Sequence, residues 1–160
     1  MAKKIDVGDA APEFDLLNQD GENVSLESLS GQWVVLYFYP KDNTPGCTRE
    51  AIGFTAELGA FQKKRAVILG CSPDSTQSHC GFIEKQNLKI GLLSDPEHAV
   101  LKSYGAWGKK MNYGREYEGV IRSTFLIDPK GKLAAVWPNV SVDGHVEAVF
   151  KKLCELETRN

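Results

Sequence analysis

The run Trp33-Val34-Val35-Leu36-Tyr37-Phe38-Tyr39 constrains this chain more than any other segment. It is apolar, β-branched or aromatic without a polar break and is bounded by Gly31 and Pro40, the pattern of a strand buried on both faces. A turn follows, and then Ala51, Phe54, Leu58 and Phe61 recur at helical steps to give one apolar face. Gly53 and Gly59 weaken that helix by about 1 kcal/mol each relative to Ala. A second buried strand spans Ala66 to Ser72. Asp74 or Ser75 then caps a helix running to about Asn87, with Phe82 and Ile83 facing inward.

Strand, helix, strand and helix in this order predict right-handed crossovers and a central sheet with parallel pairs. The second half reads differently. Ser123 to Ile127, the turn Asp128-Pro129-Lys130-Gly131, and Leu133 to Val136 form a hairpin. Val146, Val149, Phe150 and Leu153 make an amphipathic closing helix. At the front, Phe14 to Leu17 and Val24-Ser25, around Asp20-Gly21, predict a small extra hairpin. The class is therefore α/β, a mixed sheet flanked by helices. With 160 residues and no repeat or linker, one domain over 1–160 is expected.

The formal net charge of -2 supplies no basic field for nucleic acid. Met1-Ala2-Lys3-Lys4-Ile5-Asp6 lacks the apolar run of a secretory signal, and a cytoplasmic location with no membrane partner is expected. In a reducing compartment the four cysteines, Cys47, Cys71, Cys80 and Cys154, are free thiols by default. His79, His98 and His145 have no paired Cys spacing beside them, so each is read as solvated or locally bonded. No metal and no cofactor is expected.

The chemistry points to Pro40-Lys41-Asp42-Asn43-Thr44-Pro45-Gly46-Cys47, which joins a buried strand to a helix start. Thr44 is a preferred N-cap and Pro45 suits the first helical position, which places Cys47 in the first turn. Unpaired N–H groups and the helix dipole there favour a thiolate over a thiol. The alternative is a small buried core residue, since free cysteine is often buried.

The pattern Pro40, Thr44, Cys47 resembles that of the peroxiredoxins. The longer runs Tyr37 to Asp42 and Thr44 to Thr48 resemble the bacterioferritin comigratory protein class, also called PrxQ. The resemblance extends through Gly70 to Ser78, Leu93-Ser94-Asp95, Trp107 to Gly114 and Arg122 to Asp128. It implies a thioredoxin-like fold and a thiol peroxidase acting on hydrogen peroxide and organic hydroperoxides. It further implies recycling by thioredoxin or a similar dithiol, and a monomer or weak dimer. Arg122 stands where the family places an active-site arginine. Thiolate attack drives negative charge onto the departing oxygen, so the Thr44 hydroxyl, the N–H groups of the Gly46-Cys47 turn and Arg122 are the expected donors. Pro40 and Gly46 line the substrate site, and Glu50 is a candidate to orient Arg122.

Oxidised Cys47 needs a second thiol. Many members of the class carry it five positions on, where this chain has Ile52, so that subtype is excluded. Another subgroup carries it on the next helix, nearer Ile83, and Cys80 lies on that predicted helix. Cys80 is therefore the expected resolving cysteine, reached through local unwinding of both helix starts. Cys71 and Cys154 read as packing residues. Two rivals stay open: reduction of Cys47 by an external thiol, and a thioredoxin-like binding or exchange module without peroxidase activity. The second is weakened by the lack of any Cys-x-x-Cys pair.

Overall fold

A computed structural model describes residues 5–158. Strands β1 (Asp15–Asn18) and β2 (Asn23–Ser25) lead to β3 (Trp33–Phe38), and α1 (Pro45–Lys63) returns the chain to β4 (Ala66–Ser72). Helix α2 (Thr76–Gln86), β5 (Gly91–Ser94) and the short α3 (Ala99–Ser103) follow. Then come β6 (Trp107–Asn112), β7 (Arg115–Val120), β8 (Ser123–Ile127), β9 (Leu133–Trp137) and α4 (His145–Glu157). One sheet has the order β2-β1-β5-β4-β3-β8-β9, and β6 and β7 pair separately. β3 and β5 run parallel to β4, whereas β8 is antiparallel to β3. The sheet is mixed, as the sequence indicates.

β3 lies inside the sheet and is buried at every position. Its side chains alternate between two apolar layers, as a period of two requires. Trp33, Val35 and Tyr37 pack on the face covered by Ala51, Phe54, Phe82, Val146, Val149 and Leu153, the apolar sides of α1, α2 and α4. Val34, Leu36 and Phe38 pack with Phe14, Leu26, Leu101 and Tyr104 on the other face. Gly53, a weak residue for helix propensity, sits where α1 meets α4. A Cβ there would lie 3.0 Å from Val146 Cγ2, so the bare backbone permits the close approach.

Helix α2 is capped by Ser75, whose side chain accepts from the Ser78 N–H, and ends on Asn87 in the left-handed region. The front hairpin is not a separate appendage. β1 pairs antiparallel with β5 and extends the main sheet. Sequence patterning did not indicate β5, α3 or the β6–β7 hairpin as elements. β5 has four residues and α3 five, too few to display a period. β7 is exposed along most of its length, so neither face carries an apolar signal.

Candidate active site

β3 ends beside the loop that carries Tyr39, Pro40, Asp42 and Thr44 into α1. Pro45 is the first residue of α1, with Thr44 as N-cap, so Cys47 stands at the third helical position. Its side chain is buried at 1% exposure, in the turn whose first N–H groups lack helical partners. Thr44 does not cap with its side chain. Its hydroxyl instead donates to the Lys41 carbonyl at 2.8 Å. A carbonyl only accepts, so the Thr44 proton is engaged and its oxygen is left as an acceptor. The hydroxyl expected to donate to substrate donates here to Lys41.

Arg122 lies just before β8, between Ile121 and Ser123, and its guanidinium reaches two groups of α1. Nη1 donates to Glu50 Oε1 at 2.6 Å, and Nη2 donates to Cys47 Sγ at 3.2 Å. Gly46 lies against the same guanidinium: a Cβ there would stand 3.4 Å from Nη2, ordinary contact distance. Cys47 and Glu50 are three residues apart on one helix face, the spacing that lets one planar fork address both. Burial would lower the Arg122 pKa, but Glu50 and Cys47 outweigh it and hold the guanidinium in its charged form. Glu50 is fully buried, and burial raises it from 4.5 to about 7 while Arg122 opposes the rise. Among the described residues, Glu50 Oε2 and the Tyr37 hydroxyl are buried without a protein partner. Pro40 is half-buried in the loop between β3 and α1.

The remaining cysteines differ sharply. Cys71 lies inside β4, fully buried, and burial pushes its thiol well up. Cys154 is half-buried on α4. Cys80 is exposed on α2, whereas Ile83 packs against the core, so of these two positions Cys80 is the one that faces solvent. All four thiols are free in this structure.

The histidines are locally engaged rather than solvated. His145 bonds Thr124 Oγ1 through Nε2 at 2.8 Å, and burial with the Arg122 charge lowers it from 6.5 to about 4. His98 stacks on Trp107 with ring centroids 3.9 Å apart. His79 is fully buried in a network that sequence reasoning did not find, because its partner Asp42 is 37 residues away. Tyr39 and Asp42 belong to the quoted Tyr37 to Asp42 run, and that position was the available signal. Burial would push the Asp42 carboxyl up. Hydrogen bonds from His79 and Tyr39, the His79 charge and the Ser78 bond outweigh it and hold Asp42 below its ordinary 3.8. Asp42, Asp74 and His79 bring ligand-type atoms within 4.8 Å of one another. Both His79 nitrogens and both Asp42 oxygens, however, already bond protein partners, so the cluster is a closed network.

Among the described residues, no helix is long and apolar enough to cross a membrane. The family model described as the AhpC/TSA family matches residues 7–136. The chain is 44% identical to peroxiredoxin Bcp of Bacillus subtilis strain 168 over 155 residues, covering 97% of this chain and 99% of that protein. It is 40% identical to peroxiredoxin Bcp of Escherichia coli K12, covering 94% and 97%. Among solved structures, Xanthomonas campestris peroxiredoxin Q matches with a TM-score of 0.86 at 40% identity, covering 90% of this chain and 91% of that one. The bacterioferritin comigratory protein of Xanthomonas campestris matches with a TM-score of 0.89 at 38% identity, covering 95% and 99%. That structure was described for its alkyl peroxide reduction activity.

Proposed function

Since the chain belongs to the AhpC/TSA family, and within it to the Bcp/PrxQ peroxiredoxins, which are thiol peroxidases, we propose that Cys47 is the thiolate that attacks the hydroperoxide. The observation that carries this reading is the Arg122 guanidinium 3.2 Å from Cys47 Sγ, with Cys47 in the first turn of α1. Thiolate sulfur bonds one peroxide oxygen as the O–O bond breaks. The sulfur is oxidised to sulfenic acid, and the second oxygen leaves with the electron pair and takes a proton to become water or an alcohol. Arg122 and the N–H groups of the Gly46-Cys47 turn face the charge that develops. Thr44, its proton held by Lys41, accepts a hydrogen bond from the peroxide O–H and orients it. Pro40 and Gly46 border the substrate.

Resolution is assigned to Cys80. Its thiol sulfur bonds the Cys47 sulfur, and the sulfenic oxygen departs as water. Thioredoxin or a similar dithiol then reduces the disulfide. The substrates are hydrogen peroxide and organic hydroperoxides. The alkyl peroxide activity named for the Xanthomonas campestris relative supports the latter. We read 1–160 as one cytoplasmic domain that needs no metal or cofactor and acts as a monomer or weak dimer. The test is peroxide consumption by Cys47→Ser, whose hydroxyl is not ionised near neutral pH. Loss of turnover is expected, and substantial residual turnover would overturn the assignment.

A further inference from the structure

Asp42 stands five positions before Cys47, and His79 immediately precedes Cys80. The fold brings the two together. His79 Nε2 meets the Leu93 carbonyl at 2.8 Å, and Nδ1 meets Asp42 Oδ2 at 2.8 Å. Nε2 thus faces a backbone carbonyl, which only accepts, and Nδ1 faces the Asp42 carboxyl, so both ring nitrogens are engaged. Tyr39 donates to Asp42 Oδ1 at 2.6 Å and Ser78 to Oδ2 at 2.7 Å. The Asp42 N–H donates to Asp74 Oδ2 at 2.8 Å, and Ser72 and Ser94 hold Asp74 in turn. The loop before Cys47 and the first turns of α2 are thus tied through a buried, hydrogen-bonded junction to the ends of β4 and β5.

We propose that His79 is a positioning residue for disulfide formation: its pair with Asp42 pins the Cys47 loop to the Cys80 helix, holds the form that captures peroxide, and slows resolution. The proposal rests on the reading of Cys80 as the resolving thiol. Cys47 sits buried in regular helix and Cys80 is exposed on another. Cys47 Sγ is engaged by Arg122 inside the fold while Cys80 faces solvent, so on this proposal the sulfurs meet when one or both helix starts leave their places to bring the Cα atoms within roughly 7 Å. Either movement breaks the Asp42–His79 contact, and a buried polar group that loses its partner carries a desolvation penalty. Cys47 already meets Arg122 with both segments in place, so on this proposal the junction acts on the second step and spares the first.

The experiment follows reduced protein after one equivalent of hydrogen peroxide by rapid quench and mass spectrometry, timing Cys47 oxidation and disulfide formation separately. His79→Asn places an amide donor near Nδ1 and keeps the Asp42 contact, whereas His79→Gln reaches toward Leu93 and loses it. Both variants should oxidise at the native second-order rate. Disulfide formation should quicken about tenfold in His79→Gln, equivalent to about 1.4 kcal/mol of barrier, and stay near native in His79→Asn. Amide exchange over 76–80 should rise in reduced His79→Gln alone. Ser78→Ala, a milder change, should quicken the same step about threefold, as loss of one hydrogen bond implies. An unchanged or slower disulfide step in His79→Gln, or equal behaviour of the Asn and Gln variants, would overturn the proposal while Cys80 keeps its role. A native chain that forms no Cys47–Cys80 disulfide would instead remove the Cys80 reading, and the proposal with it.

Discussion

Glu50→Gln probes the charge buried beneath Cys47. Glu50 is fully buried, its Oε1 bonded to Arg122 at 2.6 Å and its Oε2 without a protein partner. Burial raises its carboxyl from 4.5 to about 7 against the opposing pull of Arg122. The folded state therefore binds this proton more tightly than the unfolded chain does. The stabilisation is complete below 4.5 and is lost as pH rises through about 7. A shift of that size corresponds to about 3 kcal/mol. Gln keeps the shape and an acceptor for Nη1 but carries no charge. In urea unfolding of the reduced protein, Glu50→Gln should exceed the native chain by about 3 kcal/mol above pH 8 and match it within about 0.5 kcal/mol near pH 4. His145 acts with the opposite sign. Its depressed pKa, about 4 instead of 6.5, gives a contribution present above 6.5 that is lost as pH falls through about 4. The two slopes oppose each other between these limits in the native chain. Glu50→Gln should therefore show stability rising with pH across that interval, the His145 slope unmasked. An advantage that stays constant with pH, or is absent above pH 8, would refute the argument from burial.

Arg122→Lys keeps a positive charge but loses the fork that reaches Cys47 and Glu50 together, so the second-order oxidation of Cys47 should fall by about tenfold or more. An unchanged rate in stopped-flow mixing would leave Arg122 a structural partner of Glu50 with no part in the oxidation. Cys80→Ser should leave the first oxidation at the native rate while sulfinic acid accumulates on Cys47 under repeated peroxide, a mass gain of two oxygens on that peptide. Gly53→Leu should cost about 1–3 kcal/mol by overpacking against Val146 at the α1–α4 contact, read as a lower urea midpoint.

The residues that announce themselves in the sequence are those whose neighbours in space are also neighbours in the chain. The buried strand at Trp33, the Thr44-Pro45 start of α1, the Ser75 start of α2 and the Asp128 to Gly131 turn each rest on local signals, and the structure has an element boundary at each. Arg122 was placed by resemblance, because no local feature distinguishes it from a surface charge before β8. Its link to Glu50 crosses 72 residues. The Asp42–His79 pair was missed for the same reason: a histidine beside polar residues looks solvated until the sheet brings Leu93 and Asp42 to its two nitrogens. Thr44 shows the converse limit. Its identity marks the cap position, but the Lys41 carbonyl decides where its hydroxyl points.

The most direct test of the central claim is peptide mapping of the reduced chain after one equivalent of hydrogen peroxide, with free thiols alkylated before digestion. Cys47 as the attacking thiolate and Cys80 as its resolver require a linked pair of peptides containing those residues, with Cys71 and Cys154 alkylated. Quantitative alkylation of Cys47, with the oxidation found on another residue, would contradict the claim.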